Sequence, residues 1–368
     1  MNILVTGANG FIGKNLVLRL QELAQYKVLS FVRGQNESEL KELLGQADAV
    51  IHLAGENRPS DVEAFAKVNT GLTLQLCQAL QELDKTIPVL LASSTQAEQD
   101  NPYGRSKLAA EQAVEALTTN NGNPVAIYRL PGVFGKWSKP NYNSVVATFC
   151  HNKARNLPVH INDSSTLLRL VYVDDVVDAF LRQLTADWDG LSRPSVEPEY
   201  SIGLGDLANQ IDAFKNCRTT LESERVGCGL VRALYATYVS YLPTESFVYD
   251  LPVHADVRGV FVEMLKTPDA GQFSFFTAHP GITRGGHYHH SKTEKFLVIK
   301  GHARFGFRHM LTQEVYHVET HGHKPQVVET VPGWTHDITN IGNDEMVVML
   351  WANEVFNPEI PDTVACKL

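Results

Sequence analysis

The stretch NILVTGANGFIG, residues 2–13, joins a short apolar run directly to a glycine-rich turn. The apolar run predicts a buried strand, and the residues after the turn predict a helix because their apolar members recur at helical spacing. These apolar residues are Leu16, Val17, Leu20, Leu23 and Ala24. A glycine-rich turn between a strand and a helix lets backbone N–H groups approach a pyrophosphate. The stretch therefore predicts a dinucleotide-binding turn made by Gly7, Asn9, Gly10, Phe11, Ile12 and Gly13.

Beyond this turn, short apolar runs alternate with helical patterns as far as about residue 185. The predicted strands are Asn2 to Thr6, Lys27 to Val32, Ala49 to His52, Val89 to Ser93 and Ala126 to Leu130. Such alternation is typical of repeated strand–helix–strand units and a parallel sheet. A glycine triplet in isolation often marks an ordinary turn, but one that opens such a series carries more weight. We therefore predict an α/β fold with a doubly wound parallel sheet of the Rossmann type.

The sequence beyond about residue 245 has a different pattern, in which apolar runs follow one another without intervening helices. The runs are Phe273 to Thr277, Lys295 to Ile299, Ala303 to Arg308, Glu314 to Val318, Gln326 to Val331 and Glu345 to Trp351. Pro and Gly separate them, which favours an antiparallel sandwich or an all-β barrel. The chain also exceeds the usual size of one hydrophobic core. We predict two domains, residues 1–243 and residues 244–368, with a packed junction between Thr237 and Asp250.

Composition excludes several classes of function. The chain has 368 residues and a formal charge of −9, without a long Lys/Arg block, which argues against nucleic acid or an anionic membrane as the main partner. Its five cysteines form no Cys-x-x-Cys pair, so neither a disulfide framework nor a thiolate zinc site is expected. Residues 1–5 show no signal-peptide pattern, and no apolar run is long enough to span a membrane. We expect a cytoplasmic protein.

Arg33 stands at the end of the second predicted strand, about 20 residues past Gly13. NAD-binding folds usually place a carboxylate at this position, where it accepts a hydrogen bond from the ribose 2′-hydroxyl. A cation there suits a 2′-phosphate instead, which favours NADPH as the cofactor. The alternative is that Arg33 is a solvated charge at a strand end.

Tyr103 and Lys107 lie four residues apart at the head of a predicted helix, which puts both side chains on one helical face. A tyrosine titrates near pH 10, and a neighbouring ammonium lowers this pKa toward the range that is useful for acid–base catalysis. Such pairs also occur by chance in many helices. Ser94, at the end of the preceding apolar run, favours the catalytic interpretation because its hydroxyl could steady the same substrate oxygen.

Together these motifs resemble the extended short-chain dehydrogenase/reductase family over roughly residues 1–240. The resemblance rests on the glycine turn, on His52-Leu53-Ala54-Gly55 and on the Ser, Tyr and Lys just named. It implies that Tyr103 donates a proton to a carbonyl, that Lys107 holds the nicotinamide ribose and that Ser94 polarises the substrate oxygen. It also implies that Leu53 and Ala54 line the cofactor.

The same resemblance implies that residues 128–135 and 171–176 border a nucleotide sugar. The run Lys136 to Ser144 is dense in groups that bind sugars and phosphates, although a polar surface loop would look similar. The chain departs from the family in one respect, because only eight residues separate Ser94 from Tyr103.

A second set of motifs reads Gly281-x5-His287-x-His289-x4-Glu294-x6-Gly301 and Gly333-x2-His336-x3-Asn340, a spacing that resembles the cupin family. Residues two apart in a strand share a face, so His287 and His289 can point together into a barrel, where Glu294 and His336 meet them. Three imidazoles and a carboxylate suit one divalent ion, with Zn²⁺ first and iron, nickel or manganese as alternatives. His290 should face the opposite side unless a bulge exchanges it with His289.

The segments Asp256-Val257-Arg258-Gly259 and Thr283-Arg284-Gly285-Gly286-His287 resemble cupins that epimerise or isomerise 4-keto sugar nucleotides. With the reductase motifs, the chain resembles bifunctional capsular polysaccharide enzymes in which a reductase domain is fused to a zinc cupin. That resemblance implies a UDP-linked 2-acetamido-2,6-dideoxy-4-hexulose as substrate, on the path to UDP-N-acetyl-L-fucosamine. It implies that the cupin epimerises carbon 3 and that the first domain reduces the 4-keto group with NADPH.

Several alternatives stay open. If a metal fills the His/Glu site, the epimerase base is another group, and the candidates are Tyr288, His290, His302 and Tyr316. The ion could instead be structural, with the cupin serving as an oligomerisation module beside a simple reductase. The first domain could also be a non-catalytic NADP-sensing regulator, although such a sensor needs only the glycine turn. Homodimers are common for both fold types, so we expect a homodimer.

Overall fold

The computed structural model describes residues 1–57, 65–186, 188–252, 254–256, 259–261, 264–265, 267, 271–354 and 359–368. The chain forms two compact units. The first comprises Met1–Ser144 and Leu168–Ile202, and the second comprises Val145–Leu167 and Gly203–Leu368. The second unit therefore contains helices as well as the later strands, and the boundary between residues 243 and 244 stays a prediction. No helix of the described residues is long and apolar enough to cross a membrane.

The helices and strands are numbered along the chain. The α-helices are α1 Phe11–Gln21, α2 Glu37–Gln46, α3 Leu72–Gln81, α4 Pro102–Asn121, α5 Val145–Ala154, α6 Val173–Thr185, α7 Leu204–Thr220 and α8 Gly229–Ser240. The strands of the first half are β1 Asn2–Thr6, β2 Lys27–Phe31, β3 Ala49–His52, β4 Val89–Ser94, β5 Val125–Leu130, β6 Gly132–Phe134, β7 Leu167–Tyr172, β8 Leu191–Ser192 and β9 Tyr200–Gly203. The later strands are β10 Val248–Asp250, β11 His254–Asp256, β12 Gly259–Phe261, β13 Gln272–Ala278, β14 Thr283–Tyr288, β15 Glu294–Lys300, β16 His302–His309, β17 Val315–His321, β18 Gln326–Glu329, β19 Trp334–Asn340, β20 Met346–Ala352 and β21 Val364–Ala365.

A six-stranded parallel sheet in the order β2-β1-β3-β4-β5-β8 forms the centre of the first unit. The predicted Rossmann-type fold class is confirmed. The strand order reverses between β1 and β3. In open α/β sheets, ligands bind next to such a reversal, at the carboxyl ends of the strands. The turn after Thr6 and the loop after His52 leave from this point of the sheet.

Two apolar layers hold this sheet, one on each face. Along β1, Ile3 and Val5 belong to one buried cluster and Leu4 to the other, because successive side chains of a strand point to opposite faces. Helices α1 and α6 cover the first face, while α2, α3 and α4 cover the second. Burial on both faces explains why these strands have continuous apolar sequences rather than alternating ones.

Two five-stranded antiparallel sheets form the all-β part of the second unit, in the orders β10-β18-β15-β20-β13 and β17-β16-β19-β14-β21. This confirms the predicted cupin-like all-β region. The predicted strands differ from the observed ones by up to three residues at their ends, as for the run predicted to end at Val318 and observed to end at His321. Val257 and Arg258 of one predicted motif lie outside the described residues.

Candidate functional sites

The glycine turn brings backbone groups close to the loop that follows β3. Gly7 has a φ of +70°, and a Cβ there would lie 2.7 Å from the backbone nitrogen of Ala54, so no other residue fits. Helix α1 follows directly. Its N-cap residue is Gly10, which has no side chain to cap the helix. The first N–H groups of the helix, at Phe11 and Ile12, are thus available to an anion. This narrow cradle fits a dinucleotide pyrophosphate; Asn9 lies exposed at its rim.

Buried polar contacts fix the loop after β3, which contains the predicted cofactor residues Leu53 and Ala54. Thr6 Oγ1 contacts His52 Nδ1 at 2.6 Å and accepts a hydrogen bond from the Ala54 N–H at 3.2 Å. His52 Nε2 contacts Thr73 Oγ1 at 2.9 Å. Burial lowers the pKa of His52 to about 3, so its ring is neutral and serves as a rigid spacer between the two hydroxyls.

Arg33 lies just beyond β2 and is 87% exposed. Its guanidinium donates to Glu56 Oε2 at 2.9 Å, and Tyr142 donates its hydroxyl to the other oxygen of that carboxylate at 2.9 Å. A carboxylate is therefore present beside Arg33, although the strand end itself carries none. Sequence reasoning missed Glu56, which directly follows the His52-Leu53-Ala54-Gly55 motif.

The structure brings Ser94 and Tyr103 together. Ser94 ends β4, and Tyr103 lies in the first turn of α4, which begins at a cap formed by Asn101, whose side chain accepts from the Gly104 N–H at 2.8 Å. Burial raises the pKa of Tyr103, while a hydrogen bond with Ser94 acts in the opposite direction. The tyrosine is consequently protonated at neutral pH. The sequence predicted that Lys107 would lower this pKa, but burial outweighs any such effect.

Lys107 points toward the loop that follows β3. Its ammonium donates to the Ala92 carbonyl at 3.2 Å, and a Cβ on Gly55 would lie 3.3 Å from Lys107 Nζ. Burial lowers the pKa of Lys107 to about 8, and the nearby Glu111 carboxylate opposes the shift. The amino group thus lies beside the loop after β3, which the glycine turn also approaches at Gly7 and Ala54.

Glu111 lies one helical turn beyond Lys107 and is fully buried. Ser93 donates to its Oε1 at 2.5 Å, and Arg129 donates to both carboxylate oxygens, at 3.0 Å from Nε and 2.6 Å from the terminal nitrogen. This bidentate pair fixes the helix that carries Tyr103 and Lys107 against the sheet. Sequence reasoning missed Glu111, although its spacing of four from Lys107 placed it on the same helical face.

A polar cleft of about 550 Å³ begins immediately after Ser94. It is lined by Thr95, Gln96, Glu98, Gln99, Asn101, Arg129 and Arg169. Lys136, the first residue of the predicted ligand-binding run that ends at Ser144, is only 1% exposed, and its Nζ pairs with Asp174 at 2.7 Å. That ammonium stabilises the protein interior and is not presented to a ligand.

The four predicted metal ligands converge in the second unit. His287 lies in β14, His289 directly follows that strand, Glu294 begins β15 and His336 lies in β19. One ligand atom from each lies within 4.8 Å of the others. Glu294 Oε2 is 3.2 Å from His289 Nε2 and 3.4 Å from His336 Nε2. The register of β14 against β19 shifts between Gly285 and His287, a bulge next to the ligands.

These residues fit a divalent ion. Both ring nitrogens of His336 are buried, and neither makes a hydrogen bond of good geometry within the described residues, although Nε2 lies 3.4 Å from Glu294 Oε2. Such burial is costly unless another group uses these nitrogens. Burial and the neighbouring imidazoles lower the pKa of His287 to about 3, so its ring is neutral. Burial opposes ionisation of Glu294, yet the facing rings of His289 and His336 hold its pKa well below its usual range. Metal binding requires neutral imidazoles and an ionised carboxylate, which are the states that these shifts favour for His287 and Glu294.

A cavity of about 200 Å³ opens from this cluster. Its apolar lining consists of Phe276, Phe296, Phe305, Ile338 and Leu350. Arg284 and Asp337 also line it, together with three of the predicted ligands, His287, Glu294 and His336. None of the four candidate bases is among the lining residues of this described cavity; Tyr288 is buried elsewhere, and His302 pairs with Glu319 at 3.4 Å.

Each half of the chain matches a known protein family. Residues 3–197 match the NAD dependent epimerase/dehydratase family, and residues 254–364 match the polysaccharide biosynthesis C-terminal domain. The chain is 57% identical over 368 residues to the UDP-2-acetamido-2,6-beta-L-arabino-hexul-4-ose reductase of Pseudomonas aeruginosa, with 100% of this chain and 99% of that protein covered.

Solved structures are similar too. The capsular polysaccharide assembling protein CapF of Staphylococcus aureus matches with a TM-score of 0.68 and 41% identity, over 100% of both chains. UDP-glucuronic acid 4-epimerase of Bacillus cereus, in complex with UDP-glucuronic acid and NAD, matches with a TM-score of 0.54 and 19% identity, over 59% of this chain and 83% of that one. The latter likeness concerns the fold alone. The whole-chain resemblance predicted from the sequence is confirmed by the first of these structures and by the Pseudomonas protein.

Proposed function

We propose that this chain, which belongs to the NAD dependent epimerase/dehydratase family, reduces the 4-keto group of a UDP-linked sugar for capsular polysaccharide synthesis. The observation that carries the proposal is the placement of Ser94, Tyr103 and Lys107 at the carboxyl edge of the sheet, beside the glycine turn. Similarity to the Pseudomonas reductase along the full length of the chain supports the same substrate class.

Each of the three side chains has one task in this proposal. When bound, the nicotinamide cofactor supplies a hydride to the 4-keto carbon. Tyr103 donates its phenolic proton to the carbonyl oxygen, so that the hydride and the proton together convert the ketone to an alcohol. Ser94, which forms a hydrogen bond with Tyr103 before substrate binds, redirects its hydroxyl proton to the same carbonyl oxygen and stabilises the negative charge that develops there. Lys107 holds the nicotinamide ribose through charge-assisted hydrogen bonds.

We propose NADPH rather than NADH as the cofactor, because the exposed Arg33 guanidinium stands where a 2′-phosphate would lie. Glu56 accepts a hydrogen bond from this guanidinium through Oε2, and Tyr142 fixes the same carboxylate by donating to Oε1. The phosphate would have to share Arg33 with that carboxylate.

For the second unit we propose epimerisation of carbon 3 of a UDP-linked 2-acetamido-2,6-dideoxy-4-hexulose, which together with reduction leads to UDP-N-acetyl-L-fucosamine. The proton on carbon 3 is removed and then returned on the opposite face, so this step involves no net oxidation. His287, His289, Glu294 and His336 would hold one divalent ion, Zn²⁺ in this proposal, which would supply positive charge beside the reacting sugar. The apolar wall of the cavity would exclude water from it.

Deuterium exchange separates the two activities. The full chain is incubated with the 4-keto sugar nucleotide in heavy water without NADPH, and deuterium at carbon 3 is followed by mass spectrometry and NMR. NADPH oxidation is measured in parallel. We expect Tyr103→Phe to reduce NADPH oxidation by about 10²–10⁴-fold while exchange continues. Glu294→Gln should abolish exchange, and Tyr26→Phe, a change in the connection before β2, should affect neither activity.

The outcomes also decide between the alternatives. Reduction without any deuterium at carbon 3 would show a simple reductase with a structural or oligomerising barrel. Binding of NADPH without oxidation of it by any 4-keto sugar nucleotide would indicate a regulator. Loss of both activities in Tyr103→Phe would contradict two separate sites. The homodimer and the cytoplasmic location stay predictions.

A further inference from the structure

The last residues of the chain form an edge strand beside the predicted metal ligands. Strand β21 pairs antiparallel with β14, with Ala365 opposite His287 and Val364 opposite Tyr288. The Cys366 N–H donates to the Gly286 carbonyl at 2.8 Å. The strand that carries His287 is therefore paired on both sides, with β19 on one edge and the C-terminal segment on the other.

Asp362, two residues before β21, holds the turn between β14 and β15. Its carboxylate accepts hydrogen bonds from three consecutive backbone N–H groups, at 2.8 Å from His290, 2.7 Å from Ser291 and 2.7 Å from Lys292. It also accepts one from Ser291 Oγ at 3.1 Å. These three residues are part of the chain between His289 and Glu294, so one side chain fixes the segment that separates two of the metal ligands.

The main chain of Asp362 makes a second contact, with the ring of His289. The carbonyl oxygen lies 2.5 Å from His289 Nδ1. A carbonyl oxygen can only accept, so Nδ1 carries the proton and the lone pair belongs to Nε2. Nε2 is the atom that faces Glu294 Oε2 at 3.2 Å. Metal-binding histidines are generally oriented in this way, by donating the other ring nitrogen to a carbonyl or carboxylate.

We infer that Asp362 is a positioning residue for the divalent-metal site, an inference that rests on the metal centre proposed above. Its carboxylate fixes the backbone of the turn and thereby holds its own carbonyl against His289 Nδ1. The four hydrogen bonds to this one carboxylate are charge-assisted, which makes them stronger than neutral ones. Without the carboxylate, the turn and the C-terminal segment lose their common anchor, and His289 loses its fixed orientation toward the ion.

The test is metal affinity in the full-length chain. The protein is stripped of metal, and the Zn²⁺ dissociation constant is measured by competition with a chromophoric chelator. We expect Asp362→Asn to weaken Zn²⁺ binding by about 10–100-fold, the usual effect of losing a residue that orients a metal ligand. Co²⁺ substituted at the site gives a second readout, because its visible absorption reports the coordination geometry. We expect that spectrum to change in Asp362→Asn.

Two control variants separate positioning from general damage. Ser291→Ala removes one hydrogen bond to Asp362 and leaves the three backbone bonds, so its Zn²⁺ affinity should stay within about threefold of the unaltered chain. Asp344→Asn makes the same chemical change at an exposed position between β19 and β20 and should have no effect. The melting temperature of the metal-free protein and its NADPH affinity show whether Asp362→Asn is folded.

Each outcome has a definite meaning. If the unaltered chain binds Zn²⁺ and folded Asp362→Asn binds it equally well with the same Co²⁺ spectrum, Asp362 has no positioning role. If the unaltered chain binds neither ion, the proposed metal centre is wrong and the inference falls with it. If Asp362→Asn does not fold, Asp362→Glu takes its place, because one extra methylene moves the carboxylate away from the three N–H groups while keeping the charge. An unchanged Zn²⁺ affinity and Co²⁺ spectrum in a folded Asp362→Glu would then assign Asp362 to folding rather than to positioning.

Discussion

Raising the pH from 7 to 9 should weaken the proposed reductase through Lys107 rather than through Tyr103. Burial lowers the pKa of Lys107 to about 8, whereas it raises that of Tyr103 above its ordinary value of 10. With a pKa of about 8, Lys107 is about 90% protonated at pH 7 and about 10% protonated at pH 9, while Tyr103 keeps its proton throughout. If the ammonium holds the ribose, kcat/KM for NADPH falls about tenfold over this range.

The assay is NADPH oxidation with the 4-keto sugar nucleotide at constant ionic strength between pH 6.5 and pH 9.5. The ratio kcat/KM reports the free enzyme, which is the state for which the pKa of about 8 applies. Lys107→Arg provides the matched variant, because a guanidinium keeps its charge over the whole range. Its residual activity should lack the decline near pH 8. A flat profile for the unaltered chain, or the same decline in Lys107→Arg, would refute the assignment.

Two further predictions concern Arg33 and the buried charges of the second unit. Arg33→Ser should weaken NADPH binding by about tenfold and leave NADH binding unchanged, because it removes a charge-assisted bond to the 2′-phosphate. Fluorescence titration measures both affinities, and Lys27→Ser, at the start of β2, is the control. An equal loss of affinity for both cofactors would mark Arg33 as a surface charge. Glu329→Gln should lower the free energy of unfolding by about 3–5 kcal/mol, because it leaves the buried Arg218 and Lys295 without their counterion. Denaturant unfolding measures this free energy. The control Glu245→Gln, at an exposed position, should change the free energy of unfolding by less than about 0.5 kcal/mol. A similarly small change in Glu329→Gln would contradict the reasoning.

The features that the sequence predicted well depend on contacts between residues near one another in the chain or on strict local spacing. The turn from Gly7 to Gly13 follows from a strand and a helix that its own residues specify. His287 and His289 are two apart, so the period of a strand already places them together. These patterns needed no knowledge of which distant segments pack against them.

The features that the sequence missed depend on distant segments. Glu56 is 23 residues from Arg33, and Asp362 is 73 residues from His289. No local pattern marks either contact. The pKa of Tyr103 was predicted in the wrong direction for a related reason, because the sequence shows the neighbouring charge of Lys107 but not the burial that outweighs it.

Strand β15 shows why the second unit retains a buried ion cluster. Glu294 lines the cavity at the proposed metal site, the metal cavity. Lys295, the next residue, points to the opposite face and pairs with Glu329, its direct neighbour on β18. Arg218 of α7 pairs with the same carboxylate. A slip of one residue in the register of β15 would move every side chain to the other face, which would place an ammonium in the metal cavity and bury Glu294 beside a carboxylate. Burying these charges costs desolvation energy, so well-packed apolar residues could give equal stability. Apolar residues at positions 295 and 329 would not oppose the slip, whereas separating Lys295 from Glu329 would leave two buried charges unpaired. We therefore expect the pair to favour the register that places Glu294 in this cavity.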